Sequence, residues 1–164
     1  MLDTVRAMMN FRKARRRRAT VVSFDMSRRI LQFGTSRFLQ AHVDLFVHQA
    51  REAGQDIGPI TVVKTTADAG REGRLAALAA AEGFPVIIRG HAQGRVVDET
   101  IQVTSVERAL SAARDWAAVA GIFATEADII VSNTGDDGYA LRECAAPGIV
   151  PASFPGKLLA LLRH

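Results

Sequence analysis

The stretch Arg29-Ile-Leu-Gln-Phe-Gly-Thr-Ser-Arg-Phe38 decides the fold of this chain. Its first five residues form a short apolar run that ends at Gly34, which is typical of a buried β-strand followed by a tight turn. Beyond the turn, apolar residues recur at helical spacing as far as about Ala53, and Gly54 then predicts the end of the helix. The sequence therefore predicts a strand–turn–helix unit.

Later segments continue this alternation of strands and helices. Ile60–Lys64 is short and β-branched and predicts a second strand, and residues 71–81, rich in alanine and leucine, predict a second helix. Asp128–Ser132 predicts a later buried strand, and Pro155–Arg163 predicts a last helix with Ser153 as its N-cap. Strands and helices that alternate at these lengths form βαβ units, so we expect an α/β fold with a parallel sheet.

The middle of the chain departs from this alternation. Pro85–Arg89 and Arg95–Val103 flank a glycine-bearing loop, Gly90–Gly94, and predict a β-hairpin. The run Thr104–Glu107 has the spacing of a capping box, with threonine at the cap and glutamate three residues later. We therefore expect a helix over residues 105–120.

Composition limits the class of protein. The 164 residues, 48% of them apolar, suit one globular domain with a core but not a two-domain enzyme of the usual size. No stretch reaches the ~18–20 uncharged apolar residues that a membrane helix needs. The single cysteine, Cys144, allows no internal disulfide and agrees with a reducing, cytoplasmic location. The histidines show no metal-ligand spacing, so we expect no metal site.

The positive charge is concentrated at the start of the chain. Residues 1–29 hold 9 basic and 2 acidic residues, a net +7, and the remainder holds 12 basic and 15 acidic residues, a net −3. The basic block Phe11–Arg18 repels itself, and we expect a disordered extension over residues 1–28. Three interpretations of this extension are open, in decreasing order of preference: an unstructured or mis-started extension, an anion-binding tail and a targeting peptide. Nucleic-acid binding is disfavoured because the body is acidic.

The turn after the first strand is a candidate binding site. In a dinucleotide fold, the first glycine of G-x-G-x-x-G permits the tight turn and the second lets the backbone approach the pyrophosphate. The helix that follows offers amide donors at its N-terminus. Gly34 fills the first role, but Ser36 stands where the second glycine usually is, and the third glycine is missing. These residues alone leave an ordinary turn and a dinucleotide turn as alternatives.

Several motifs, taken together, resemble the polyol-specific long-chain dehydrogenases and reductases, which include mannitol dehydrogenases and the tagaturonate and fructuronate reductases. Ile30–His42 resembles the N-terminal fingerprint of that family. Val86–Gly90 with Gly94–Asp98, and the expected helix start at Ser105, resemble its hairpin insert. Similarity continues in the strand that ends Ser-Asn-Thr at Thr134 and, for the uronate reductases, in the Ser-Phe-Pro-x-Lys-Leu segment Ser153–Leu158. The motifs follow the family's order over residues 29–162.

The resemblance implies a Rossmann-like, doubly wound, mostly parallel sheet with a β-hairpin insert. It also implies NAD(P)-dependent oxidation of a polyol or reduction of a keto-sugar acid such as tagaturonate or fructuronate. Residues 29–164 would then form a partial dinucleotide-binding domain. The residues expected to bind the dinucleotide are Gly34, Thr35, Ser36, Arg37 and Phe38 in the turn, and Asn133 and Thr134 at the end of a later strand. Where many relatives have arginine, this chain has Gln40.

The end of the second strand bears on the choice of coenzyme. An acidic residue there normally holds the ribose 2′-hydroxyl and repels a 2′-phosphate. This strand ends at Lys64, with Asp68 four residues later. NAD is favoured if Asp68 reaches back, and NADP is the alternative if Lys64 points outward; Lys64 as a simple solvated strand end is a third interpretation. The resemblance favours NAD.

The catalytic residues implied by the resemblance are missing. The family supplies its proton donor from a run Lys-x-x-x-x-Asn-x-x-His, and none of Lys13, Lys64 and Lys157 begins that pattern. We therefore expect a fragment that binds coenzyme and holds no catalytic residue. A nucleotide- or partner-binding module without turnover is the alternative. An incomplete core would also expose apolar surface, and self-association is expected through Leu158, Leu159, Leu161 and Leu162.

Overall fold

A four-stranded parallel sheet forms the centre of the molecule. The structure is a computed structural model, and it describes residues 28–66, 72–140 and 149–163. The sheet contains β1 (Arg28–Phe33), β2 (Ile57–Lys64), β5 (Val106–Ser111) and β6 (Ile129–Ser132), in the order β5-β2-β1-β6. Phe33 lies level with Val63 of β2 and Ser132 of β6, so these three strands end at one carboxyl edge. The α/β prediction with a parallel sheet is confirmed.

Helices cover both faces of the sheet, as a doubly wound fold requires. The first runs from Arg37 to Glu52 without a break, as α1 (Arg37–Leu39), a π-helical segment (Gln40–Asp44) and α2 (Leu45–Glu52). The others are α3 (Glu72–Leu78), α4 (Trp116–Thr125) and α5 (Phe154–Leu162), and a 3-10 turn spans Asp136–Tyr139. Ser153 caps α5 as predicted, because its Oγ accepts the Gly156 amide at 3.1 Å.

The core follows the alternation of side chains along β1. Leu31 and Phe33 point to one face, where they pack with residues of α4 and α5 such as Val119 and Leu161. Ile30 points to the other face and packs with residues of β2, α2 and α3. Helices therefore cover both faces of β1. Because both faces are buried, the strand has an almost continuous run of apolar residues.

The predicted β-hairpin is present as a separate two-stranded sheet. Strands β3 (Phe84–Ala92) and β4 (Arg95–Val103) pair in an antiparallel register over their full length. The connection consists of two residues, Gln93 and Gly94, whose φ angles are +51° and +76°. Two successive positive φ angles are typical of the type I′ hairpin turn. The turn is therefore tighter than the Gly90–Gly94 loop expected from the sequence.

The expected helix over residues 105–120 is wrong. Residues 106–111 form the edge strand β5, which pairs with β2 in parallel, and the helix α4 begins only at Trp116. The capping-box geometry is also absent, since the Thr104 hydroxyl lies 3.3 Å from Nδ1 of His48. Edge pairing with a buried strand outweighs a local capping pattern because it satisfies a row of backbone groups and buries Val106.

Some predictions fall outside the described residues, namely those for the basic extension, Asp68 and Cys144. Arg28, which was expected to belong to the extension, is the first residue of β1. In the ranges that the structure describes, no helix is long and apolar enough to cross a membrane, and no cluster of three potential metal ligands occurs. Of the four leucines expected to mediate self-association, Leu161 is buried in the core and Leu162 is exposed.

Candidate functional site

The turn after β1 needs glycine at its first position. Gly34 has a φ angle of +121°, which L-residues rarely adopt, and its amide donates to the carbonyl of Val63 at 2.9 Å. A Cβ at this position would lie 3.2 Å from Cδ1 of Leu39. The turn thus leaves the sheet at the end of β1 and leads directly into helix α1.

Ser36 caps α1 and also joins two loops. Its Oγ accepts the Leu39 amide at 3.2 Å and the side-chain amide of Asn133 at 3.3 Å. A hydroxyl has two acceptor lone pairs and one hydrogen, so both acceptor positions are used and the hydrogen is left to donate. The structure therefore brings together two predicted site residues that are 97 positions apart in the sequence.

The turn presents backbone donors. Nε2 of Gln40 donates to the Thr35 carbonyl at 3.1 Å and holds the turn against the helix. Within the described ranges the amides of Thr35 and Ser36 have no backbone acceptor, and those of Arg37 and Phe38 lie in the first helical turn, which offers them none. A turn with several unused N–H groups ahead of a helix is suited to an anion.

A large cavity opens on the β6 side of this turn, and we call it the β6 cavity. Its volume is about 890 Å³, and its described lining comes from the ends of β2 and β6 and from the approach to α5: Thr65, Thr66, Ala113, Asn133, Thr134, Gly138, Ala140, Val150, Pro151, Ala152, Ser153, Phe154 and Lys157. Beneath it, the rings of Phe33 and Phe154 lie 5.5 Å apart. The predicted residues Asn133 and Thr134 thus face open space at the carboxyl edge of the sheet.

Lys157 is a buried residue of the β6 cavity that the sequence reasoning did not select. It is 2% exposed, and its Nζ donates to the carbonyls of Pro151 at 2.5 Å and Ala152 at 2.7 Å. The ammonium group therefore fixes the loop that forms one wall of the cavity. The signal was present in the Ser-Phe-Pro-x-Lys-Leu motif, although nothing in that motif indicated burial.

A second cavity, the β2 cavity, lies on the other side of the turn. It has a volume of about 420 Å³, and its described lining is Thr35, Ser36, Arg37, Gln40, Lys64, Arg74, Leu75, Ala77, Leu78 and Phe84. Lys64 is only 3% exposed, so the interpretation of a solvated strand end is wrong. Because Lys64 is two residues beyond Val62 on β2, it points to the same face and forms part of the cavity wall.

Phe38 is the predicted turn residue whose side chain faces outward. It lines neither cavity, is 57% exposed and stacks on His42, with the two ring centroids 4.3 Å apart. Nδ1 of His42 in turn lies 2.8 Å from the Phe38 carbonyl oxygen. Phe38 therefore belongs to the outer surface of the helix.

A buried polar pair lies behind the turn. Gln32 of β1 and Asp44 of the π-helical segment are fully buried, and their side-chain polar atoms have no hydrogen-bond partner among the described residues. Burial raises the pKa of the Asp44 carboxyl from 3.8 to about 6, an effect that the nearby Gln32 amide partly offsets. The Ser105 hydroxyl donates to the Asp44 carbonyl at 2.7 Å and anchors this segment to the start of β5.

Comparison with known proteins places this geometry in context. No protein-family model matches the chain. It is 30% identical over 146 residues to an altronate oxidoreductase of Halalkalibacterium halodurans. The matched region covers 87% of this chain and 28% of that protein. It is 29% identical over 150 residues to an altronate oxidoreductase of Phocaeicola vulgatus. That matched region covers 88% of this chain and 30% of that protein.

A solved structure shares the fold. A D-sorbitol dehydrogenase in substrate-free form superposes with a TM-score of 0.62 and 19% identity, over 82% of this chain and 30% of that one. This likeness supports the Rossmann-like fold. The chain spans less than a third of the length of the curated relatives that it matches. Over that span, the chain resembles the polyol-specific long-chain dehydrogenases and reductases, and the resemblance found in its sequence motifs is confirmed.

Proposed function

We propose that this chain is the coenzyme-binding portion of an NAD(P)-dependent oxidoreductase that oxidises a polyol or reduces a keto-sugar acid. The observation that supports it most directly is the Gly34 turn, which presents unused amide donors at the carboxyl edge of a parallel sheet between two cavities. Dinucleotides bind at such an edge in open α/β sheets. Both relatives are named altronate oxidoreductases, which supports a sugar acid as substrate.

The residues of the turn would hold the pyrophosphate. The amides that follow Gly34 supply fixed donors, and the Ser36 hydroxyl adds one hydrogen where a glycine usually allows closer approach. Asn133 and Thr134 would line the half of the site that lies in the β6 cavity. When bound, the nicotinamide ring supplies the hydride chemistry. Phe38, which faces outward, would act only through its backbone amide.

The proton donor would come from elsewhere. The chain has no Lys-x-x-x-x-Asn-x-x-His run, and none of its described residues forms an evident proton-donating cluster at the β6 cavity. We therefore propose residues 29–164 as a partial dinucleotide-binding domain, preceded by an extension, and assign the catalytic residues to a part of the protein outside this sequence. The same missing run also supports a second candidate, a nucleotide-binding module without turnover.

Titration of the full chain with NADH and NADPH by calorimetry tests the proposal. We expect binding of at least one coenzyme, and we expect Gly34→Val to abolish it, because a β-branched residue cannot adopt this φ angle without strain and its side chain meets Leu39. Gly54→Val is the matched control, since Gly54 also has a positive φ but lies at the end of α2. Absence of binding by the folded wild-type chain would refute the proposal.

A further inference from the structure

Gln32 and Asp44 are the buried side chains whose polar atoms lack a hydrogen-bond partner in the described part of the chain. Each residue is 0% exposed, and the unpartnered atoms are Oε1 and Nε2 of Gln32 and both carboxyl oxygens of Asp44. Buried polar side chains nearly always have a partner, and burying a charged carboxylate without one is especially costly because the charge loses its hydration. A carboxyl group in this position is therefore most stable as the neutral acid.

The elements around Asp44 bring no compensating charge to it. From β1 comes the uncharged Gln32 amide, and from the link before β5 comes the Ser105 hydroxyl, which donates to the Asp44 carbonyl and not to the carboxyl group. The titratable or charged side chains on the surrounding strands and helices are Arg37, His42, His48, Lys64, Arg74 and Glu107. None of them contributes to the raised pKa of Asp44, which burial causes and the Gln32 amide partly opposes.

The pair lies close to the Gly34 turn. Gln32 is two residues before Gly34 on β1, and Asp44 lies seven residues after Arg37, which is about 10 Å along the helix at its usual rise. At this distance and an effective dielectric constant of about 20, repulsion between two negative charges weakens binding on the order of tenfold. Salt reduces the effect. An ionised Asp44 therefore opposes a pyrophosphate bound to the amides of the turn.

We propose that Gln32 and Asp44 form a proton-binding site that regulates coenzyme affinity: the dinucleotide binds tightly while Asp44 is neutral and more weakly once Asp44 is ionised. The inference rests on the proposed coenzyme-binding function. By linkage, the negatively charged ligand favours the protonated carboxyl, so binding takes up protons. Because the pKa of Asp44 in the free protein is about 6, affinity falls as the pH rises through 6. Gln32 is a positioning residue, since its amide sets the pH at which this change occurs.

Calorimetric titration of the full chain with NADH at pH 5.5 and pH 8 tests the proposal. Wild type is expected to bind roughly five- to tenfold more weakly at pH 8. Asp44→Asn should bind equally well at both pH values, because its amide stays neutral. Asp56→Asn is the matched control, since Asp56 is an exposed carboxylate beyond α2, and it should keep the wild-type pH dependence. If only NADPH binds, the same comparison applies, because its 2′-phosphate titrates equally in all three chains.

Proton uptake gives a readout that a merely structural role would not change. At pH 6.5, the heats of NADH binding in PIPES and in Bis-Tris should differ by the uptake of about half a proton per coenzyme, and Asp44→Asn should abolish this difference. Gln32→Met removes the amide at similar volume. It should move the midpoint of the pH dependence upward, because the Gln32 amide lowers the pKa of Asp44. This variant decides the question if Asp44→Asn fails to fold.

Three results separate the inference from the proposed function. A pH dependence that persists in Asp44→Asn would overturn the inference and assign the titration to a histidine such as His42 or His48. Equal wild-type affinity at pH 5.5 and pH 8, or an unchanged midpoint in Gln32→Met, would also overturn it and leave the proposed function intact. Binding of neither coenzyme to the folded wild-type chain at any pH would refute the proposed function itself.

Discussion

Ser36 stands where the second glycine of a dinucleotide turn usually lies, and its contacts explain how the turn is built without that glycine. The side chain caps α1 and accepts the Asn133 amide, so it fixes the turn by hydrogen bonds. The sequence predicted both Ser36 and Asn133 as site residues but could not predict that they touch. The burial of Lys64 and Lys157 could not be predicted from the sequence either, because it depends on helices that pack from distant parts of the chain.

Asp44 makes the stability of the protein depend on pH. The folded state holds the Asp44 proton more tightly than the unfolded chain does, since the pKa is about 6 instead of 3.8. The contribution of Asp44 to stability is therefore greatest below the unfolded pKa and is lost as the pH rises through 6. A shift of this size corresponds to about 3 kcal/mol once the group is ionised in both states.

Asp44→Asn should remove this dependence. We expect a higher thermal midpoint than wild type at pH 8 and little difference at pH 4, because the amide stays neutral while keeping the size and polarity of the carboxyl group. Thermal unfolding followed by circular dichroism at both pH values measures the effect. The exposed Asp56→Asn serves as control. An equal gain at pH 4 and pH 8 would contradict the explanation by burial.

At the scale of secondary-structure elements, the sequence predicted the parallel strands with apolar runs, including the edge strand β6, and failed at β5, an edge strand with polar residues at its centre. In β5, only Val106 and Ser111 at the two ends are buried, and Arg108 between them forms a hydrogen bond of 3.1 Å to Thr61 and a salt bridge of 2.6 Å to Glu126. Such a polar edge strand has no periodic apolar signal. The spacing from Thr104 to Glu107 then suggested a helix that pairing with β2 prevents.

The hairpin turn offers a test at this scale. Gln93 has a φ angle of +51°, a conformation that costs a non-glycine residue about 1 kcal/mol or more and that asparagine tolerates better. Gln93→Asn should therefore stabilise the protein by a fraction of that amount, and Gly94→Ala should destabilise it, since Gly94 has a φ angle of +76°. Urea unfolding measures both. Gln55→Asn, outside the hairpin, should show no gain; a similar gain there would contradict the argument.

At the scale of the whole molecule, the sequence sufficed for the fold class because β1 and its turn lie at the centre of the sheet. Sheet order and the two cavities were not predictable, since they depend on which strands pair with β2 and β6. Apart from Gly34 and Phe38, which line neither cavity, the predicted site residues divide in a consistent way: Thr35, Ser36, Arg37 and Lys64 line the β2 cavity, and Asn133 and Thr134 line the β6 cavity.

A ligand that occupies both cavities should stabilise the entire chain. Coenzyme at 100 times its Kd adds about 2.7 kcal/mol to the free energy of unfolding, which corresponds to a rise of roughly 5–10 °C in Tm for a protein of this size. Thermal unfolding with increasing NADPH measures the rise, and Gly34→Val should show none. An unchanged Tm for wild type at saturating NADPH and NADH would contradict coenzyme binding.

The β3–β4 hairpin has a consequence for motion. Its base is held by Val86 and Val103, which pack against Leu45 of α2, whereas most of its outer half is exposed. A two-stranded ribbon is barely stable without such packing. Amide protons near Gln93 should therefore exchange with deuterium early and those near Val103 late, so that the ribbon frays from its tip inward while its root opens only with the sheet.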